Sequence, residues 1–227
     1  MKSSARTLDT VILLAIDTAT PAVTAGVVRV DAGNLETLAT QVTVDARAHG
    51  ELLTPHITAV LQKSGIGFDQ VDAIVCGTGP GPFTGLRVGM VTAAALGHGL
   101  GRPVYGVCTL DAIAADVESA DDFLVVTDAR RREVYWARYE HGKRTAGPEV
   151  GPPADLRGTA AAGQGAVQYA DVIGRPVLEP AYPSPAGLVR AARLDGAGEL
   201  REPAEFRPLY LRRPDAVEPG VRKKVSA

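Results

Sequence analysis

Cysteine is scarce in this chain, with only Cys76 and Cys108 in 227 residues. Both close apolar runs, which suits buried reduced thiols and excludes the disulfide framework of a small secreted domain. An excess of charge of one sign is also missing: 24 Lys and Arg stand against 26 Asp and Glu, a formal net charge of −2. Nucleic-acid binding demands clustered cations, so this balance argues against a large nucleic-acid footprint on this chain alone. No apolar run reaches the ~20 residues that span a bilayer. The opening residues are polar and the apolar run after them is cut by Asp17, so no signal peptide is expected and the cytoplasm is the expected location. Three further absences bear on chemistry. The sequence contains neither GxxxxGK[ST], GxGxxG nor GxSxG, so ready-made phosphate loops and a nucleophile elbow are excluded. His49 and His56 are spaced by seven rather than four, with no Cys or acid cluster beside them, so both read as structural or interface histidines. Neither cysteine has a basic neighbour to activate it.

What is present is a chain with 45% hydrophobic residues, enough for one large core or two small ones. Its central stretch runs from Val71 to Leu100. A short apolar run predicts a strand, a Gly- and Pro-rich turn follows from Gly77 to Gly85, and a helix comes next. Gly79 and Gly81 permit close backbone approach while Pro80 and Pro82 fix φ, so the turn is shaped. Free N–H groups at the helix start can hold an anion, yet no lysine follows, and an architectural reading stands beside that of a phosphate cradle. Along the helix, Gly85, Gly89, Ala93 and Gly97 recur every four residues, leaving one edge with almost no bulk for another element to approach. Thr84, Arg87, Thr92 and His98 exclude a membrane span. Arg87 reads either as a partner for an acid or anion near the turn or as a solvated first-turn arginine.

In chain order, VILLAID, the β-rich segment from Ala22 to Val30 and LETLATQVTV predict three strands. The helix expected over His49 to Ser64 places Leu52, Leu53, His56, Ile57, Val60 and Leu61 across about half its circumference, wider than the ~100° stripe one sheet covers. The surplus meets either neighbouring elements of this chain or another subunit. A strand is expected at Pro103 to Val107, then a helix with Thr109 as its cap. The opening pattern then returns: FLVVTD ends in Asp128 as VILLAID ends in Asp17, and a turn and a β-rich return follow each time. This repetition predicts a duplicated lobe. The Gly-, Pro- and Ala-rich segment 142–165 reads as loop with short elements, Ser184 and Pro185 open a further helix, and the tail carrying Phe206 and Tyr210 reads as a solvated terminus. The expected division is 1–108 for the first lobe, with a three-strand meander, the glycine turn and two helices. Residues 109–227 form a smaller, degenerate second lobe plus tail.

Asp17 and Asp128, each on a turn at a strand end, are the acids best placed for a phosphate-metal site. With Thr18, Gly79 and Gly81 they make a weak nucleotide-binding set. Two lobes offering paired turns resemble actin, sugar kinases and heat-shock chaperones, an α/β, two-lobed, ribonuclease H-like fold with duplicated mixed sheets. Because no general base, metal cluster or phosphate-binding lysine accompanies these acids, no catalytic or metal-ligating residue is nominated.

Six stretches, LLAIDTAT, HGELLTPHITAVL, GTGPGPFTGLRVG, GRPVYGVCTLDAIA, DARRREVYW and PLYLRRPDA, together resemble the TsaB (YeaZ) family of bacterial tRNA threonylcarbamoyladenosine biosynthesis, in its actinobacterial form. The resemblance covers most of residues 11–140 and returns at 208–216. It implies a non-catalytic paralogue of TsaD, the threonylcarbamoyl-transferring subunit. TsaD-like proteins carry a metal-binding histidine pair just after the strand that follows the glycine helix. Here that place reads Val107-Cys108-Thr109-Leu110-Asp111, without histidine. The resemblance further implies pairing with a TsaD-like chain, a working complex with a TsaE-like ATPase, indirect contact with tRNA, a homodimer when alone, and no cofactor, with ATP or ADP held weakly or not at all. It places the pairing interface on Leu52, Leu53, His56, Ile57, Val60 and Leu61 and on Gly85, Gly89, Ala93 and Gly97. The competing reading is a small ATP-binding enzyme using Asp17 and Asp128. A peptidase finds no support in these residues.

Overall fold

The computed structural model describes residues 10–118, 122–193, 203 and 205–212. The first sheet runs β3(Asn34–Val44), β2(Ala22–Asp31), β1(Thr10–Asp17), β4(Ala73–Gly77) and β5(Val104–Val107) in spatial order. The second runs β10(Val177–Leu178), β9(Ala161–Ala162), β6(Asp122–Asp128), β7(Val134–Glu140) and β8(Lys143–Gly151). The two orders are equivalent. In each sheet the first strand is central, an antiparallel meander extends to one side, and two parallel strands lie on the other. The expected duplication is therefore present, with the parallel strands of the second copy cut to two residues each.

Helices α1(His49–Ser64) and α2(Phe83–Leu100) cover one face of the first sheet. On α1, Leu53, Ile57, Val60 and Leu61 are all 5% exposed or less and pack in the core with Leu14, Ile16, Val23 and Val27. His56 is buried as well, its Nε2 2.9 Å from the Thr43 hydroxyl on β3. The wide apolar arc is thus covered by the chain's own strands, and these five positions are core rather than partner-facing. Leu52 alone of the six remains half-buried. The stripe of α2 is corrected in the same way. A Cβ on Gly85 would lie 2.7 Å from the Thr18 carbonyl oxygen, one on Gly89 2.5 Å from the Thr18 hydroxyl, and one on Gly97 would collide with Val104. Ala93 is fully buried in the same core. The element that approaches this edge is the chain's own sheet, because a helix must sit close to bury the ends of β1 and β5 beneath it.

Between the sheets lies α3(Thr109–Ala114), and α4(Gln164–Gln168) and α5(Ala170–Ile173) flank the second sheet. Finally α6(Pro185–Ala192), capped as expected by the Ser184 hydroxyl accepting from the Gly187 N–H, packs Leu188 and Val189 on the other face of the first sheet. The division at residue 108 fails there: the apolar back of β1, β4 and β5 needs a cover, and the chain returns from the second lobe to provide it. Segment 142–165 also differs from expectation. Lys143–Gly151 is a nine-residue strand, tolerating Gly147 and Pro148 because it is an edge strand whose pairing with β7 breaks register between Trp136 and Tyr139.

Candidate functional site

The turns that end β1 and β6 face a cleft between the lobes. Asp17 closes β1 and is 0% exposed. Its Oδ1 accepts from the Ala19 N–H at 2.8 Å and its Oδ2 from the Thr109 hydroxyl at 2.6 Å. Burial pushes its carboxyl up from 3.8 to about 6, an effect opposed by the bonds from Thr109 and Ala19 and by nearby His49. Any side chain on Gly77, at the end of β4, would collide with this carboxylate. Asp17 is thus a clasp joining β1, β4 and the start of α3, and it does not face the cleft.

Thr18 serves the same assembly. Its hydroxyl donates to the Gly85 carbonyl at 2.7 Å and accepts from the Gly89 N–H at 2.9 Å. Those two groups are the i, i+4 pair of one turn of α2, so Thr18 is inserted into the helix ladder and fixes the helix on the sheet. The Gly79 carbonyl accepts from the Thr109 N–H at 2.7 Å, and Gly81 rests on the Ala19 carbonyl so closely that a Cβ has no room. The structure brings Asp17, Thr18, Gly79 and Gly81 together as expected, and their polar groups bond other parts of the chain, at Ala19, Thr109, Gly85 and Gly89. These bonds support the architectural reading of the turn over that of a phosphate cradle.

Asp128 takes the topological place of Asp17 in the second lobe with a different outcome. Its Oδ1 accepts from the Arg130 N–H at 3.2 Å and from the Tyr169 hydroxyl at 3.0 Å. It still lines a cleft cavity of roughly 370 Å³ with Thr18, Thr20, Arg47, His49 and Arg130. His49 donates from Nε2 to the Thr20 carbonyl at 2.8 Å, holding the first turn. Among the described residues no group of three or more His, Cys, Asp or Glu side chains is arranged to hold a metal ion. No helix of the described chain is long and apolar enough to cross a membrane.

Two features escaped sequence reasoning. Residues 205–212 form a strap across both lobes rather than a solvated tail. Phe206 packs into the first core beside Gly106, the Leu209 N–H donates to the Thr78 carbonyl at 2.8 Å, and Leu211 joins the core of the second lobe. Arg212 donates to the Ala129 carbonyl at 2.8 Å and pairs with Glu133. The signal was the cluster of apolar residues Phe206, Leu209, Tyr210 and Leu211 in EFRPLYL, outweighed by the surrounding charges. The second feature is the outer face of α2. With the glycine edge turned inward, Val91 is left 67% exposed and Phe83 45% exposed, beside exposed Ala94 and Ala95. They are apolar positions off the glycine stripe that, unlike Leu86 and Met90, do not reach the core.

The family model for TsaD, tRNA N6-adenosine threonylcarbamoyltransferase, matches residues 36–187. An uncharacterized protein of Mycobacterium tuberculosis is 57% identical over 205 residues, covering 90% of this chain and 93% of that relative. A Mycobacterium leprae relative is 57% identical over 206 residues, and the chain spans about half of its length, 56%. The tRNA threonylcarbamoyladenosine biosynthesis protein TsaB of Escherichia coli is 34% identical over 143 residues, 59% of this chain and 60% of that protein. Among solved structures, YeaZ from Pseudomonas aeruginosa superposes with a TM-score of 0.71 at 27% identity, covering 88% of this chain and 100% of its own. The duplicated α/β sheets, the TsaD-type match and these relatives agree: the chain belongs to the TsaB/YeaZ family, with its two-lobed, actin-like, ribonuclease H-like fold.

Proposed function

We propose that this chain is the non-catalytic scaffold and activator subunit of tRNA threonylcarbamoyladenosine biosynthesis, pairing in the cytoplasm with a TsaD-like catalytic chain. The role in that biosynthesis follows from TsaB/YeaZ membership. The observation that carries the scaffold reading is the outer face of α2, where Val91, Ala94 and Ala95 are turned to solvent, with Val88 and, on α1, Leu52 half-buried. A contiguous apolar helix face on a water-exposed surface marks a protein interface. The pairing interface thus stays on the two helices that the family resemblance implies, moved to the side their core residues leave free. The enclosed Asp17 supports a structural role for the first turn, since its carboxylate is bonded within the chain. In this reading a TsaE-like ATPase joins the pair, tRNA is reached through the catalytic partner, the isolated chain self-associates through the same face, and nucleotide binds weakly or not at all.

Reconstitution tests the proposal. The chain is mixed with its cognate TsaD-like and TsaE-like proteins and modified tRNA is measured. Omitting the chain, or supplying Val91→Glu, is expected to abolish the product; equal yield without the chain refutes the role. One observation favours a second reading, a phosphate-bearing ligand in the cleft, because Asp128, Arg47, His49 and Arg130 converge on the same cavity. Calorimetry with ATP and magnesium decides it: tight binding that is lost on Asp128→Asn supports a nucleotide site, and absence of heat rejects it.

A further inference from the structure

The edge where the strap meets α2 carries three side chains that neither lobe needs for its core. The Arg87 guanidinium carbon lies 3.6 Å from the centroid of the Phe83 ring and 6.0 Å from that of Tyr210. The two rings stack on each other with centroids 5.3 Å apart. Arg87 Nε donates to the Tyr210 hydroxyl at 2.9 Å. Its two terminal nitrogens make no hydrogen bond and no ion pair among the described residues. Phe83 and Tyr210 are 45% and 44% exposed, and Val91 lies one helical turn beyond Arg87.

We propose that Arg87 is the anchor at which an acidic side chain of the catalytic partner docks, and that Tyr210, brought by the strap, is the positioning residue that holds it ready. This rests on the pairing proposed above and names its polar contact. A guanidinium lying on aromatic rings has given up much of its rotamer freedom before binding, so less is lost when a carboxylate arrives. With Nε satisfied by Tyr210, the two terminal nitrogens remain as the fork that a carboxylate takes in bidentate fashion. Aromatic and arginine side chains beside an apolar row are the composition of interface hot spots. The exposed positions further along the outer face of α2, Thr84, Val91, Ala94, Ala95 and His98, add no Lys or Arg. Arg130, Arg131 and Arg212 line the cavity that Phe83 and Tyr210 share, but Arg212 is paired with Glu133 and Arg130 with Asp128, and Arg131 is engaged as well. A phosphodiester backbone along α2 itself would find one permanent cation, whereas one carboxylate on an apolar partner surface matches it.

The test is titration of the chain with its purified cognate TsaD-like protein at two salt concentrations. Arg87→Met is expected to weaken pairing by about tenfold or more and to remove most of its salt dependence. Arg87→Lys does not restore it, because an ammonium cannot reproduce the fork. Tyr210→Phe, which keeps the stack, stays within about threefold of wild type, and Tyr210→Ala falls with Arg87→Met. Melting temperatures close to wild type show that the variants are folded. If Val91→Glu abolishes pairing while Arg87→Met leaves it unchanged, the anchor is wrong and the pairing stands. If the wild-type chains do not associate, both fall. If Arg87→Met instead abolishes binding of tRNA to the isolated chain and leaves pairing intact, the occupant is a phosphate and the proposal is overturned.

Discussion

Replacing Asp17 with Asn tests whether the first turn of this fold is built around a carboxylate held against its ionisation preference. The side chain is fully enclosed, and burial raises its carboxyl from 3.8 to about 6. The native state therefore binds this proton more tightly than the unfolded chain does. Between those two values the unfolded chain releases a proton that the native chain retains, so this group's contribution to stability falls as pH rises through the window. At ~1.4 kcal/mol per pKa unit, the accumulated loss by neutral pH is about 3 kcal/mol. Asn does not ionise. Its carbonyl still accepts from the Ala19 N–H, and its amide donates to the Thr109 hydroxyl, which accepts where it had donated. The measurement is urea denaturation of both proteins at intervals from about pH 4 to 7.5, the unfolded reference being the ordinary carboxylate range. Every other titrating group is common to both proteins, so the difference isolates Asp17. The expected result is a stability difference that shifts in favour of Asp17→Asn as pH rises across the window and is flat above it. A difference independent of pH would refute the reasoning, as would one that shifts toward wild type with rising pH, the behaviour of a carboxylate stabilised in its charged form.

Other substitutions probe the same architecture. Leu53→Glu and Val60→Arg bury an unpaired charge where the native residues are 1% and 0% exposed, so each is expected to cost several kcal/mol and lose the folded far-UV spectrum. A soluble, cooperatively melting Val60→Arg would show that this face is open after all. Gly89→Val forces a side chain onto the Thr18 hydroxyl, 2.5 Å from the new Cβ, and is expected to lower stability by about 2 kcal/mol or more. Thr18→Ala should cost less, about 1 kcal/mol, because the Gly85 carbonyl and Gly89 N–H can then bond directly; a larger loss for Thr18→Ala than for Gly89→Val, measured by thermal melts, would contradict the wedge. Cys108, whose thiol burial and the nearby Asp111 push up to about 11, should resist alkylation at pH 8 in the folded protein and react once it is unfolded, as followed by mass spectrometry.

The partition between legible and hidden features follows from the range of the interactions involved. Period-two and period-four patterns, an apolar run ending in an acid that occurs twice, and a Ser-Pro start are local, and they suffice for β1, β6, α1, α2, the duplication and α6. The family resemblance came from the same local stretches, and it implied that a partner pairs through two helices of the first lobe. Periodicity shows that a helix has a face and is silent on what covers it, so Val60 and Gly89 could equally meet a partner or their own sheet. Only the packing of α1 and α2 on β2, β1 and β5 assigned those faces inward and left Val91 outside. The fates of Asp17 and Asp128 diverge for the same reason. They sit in identical local patterns, but Asp17 finds the hydroxyl of Thr109, 92 residues away, while Asp128 stays at the cleft. Bonds of that span, like the strap that carries Tyr210 to Arg87 across 123 residues, are set by the topology of two joined sheets, and no window of sequence contains both ends.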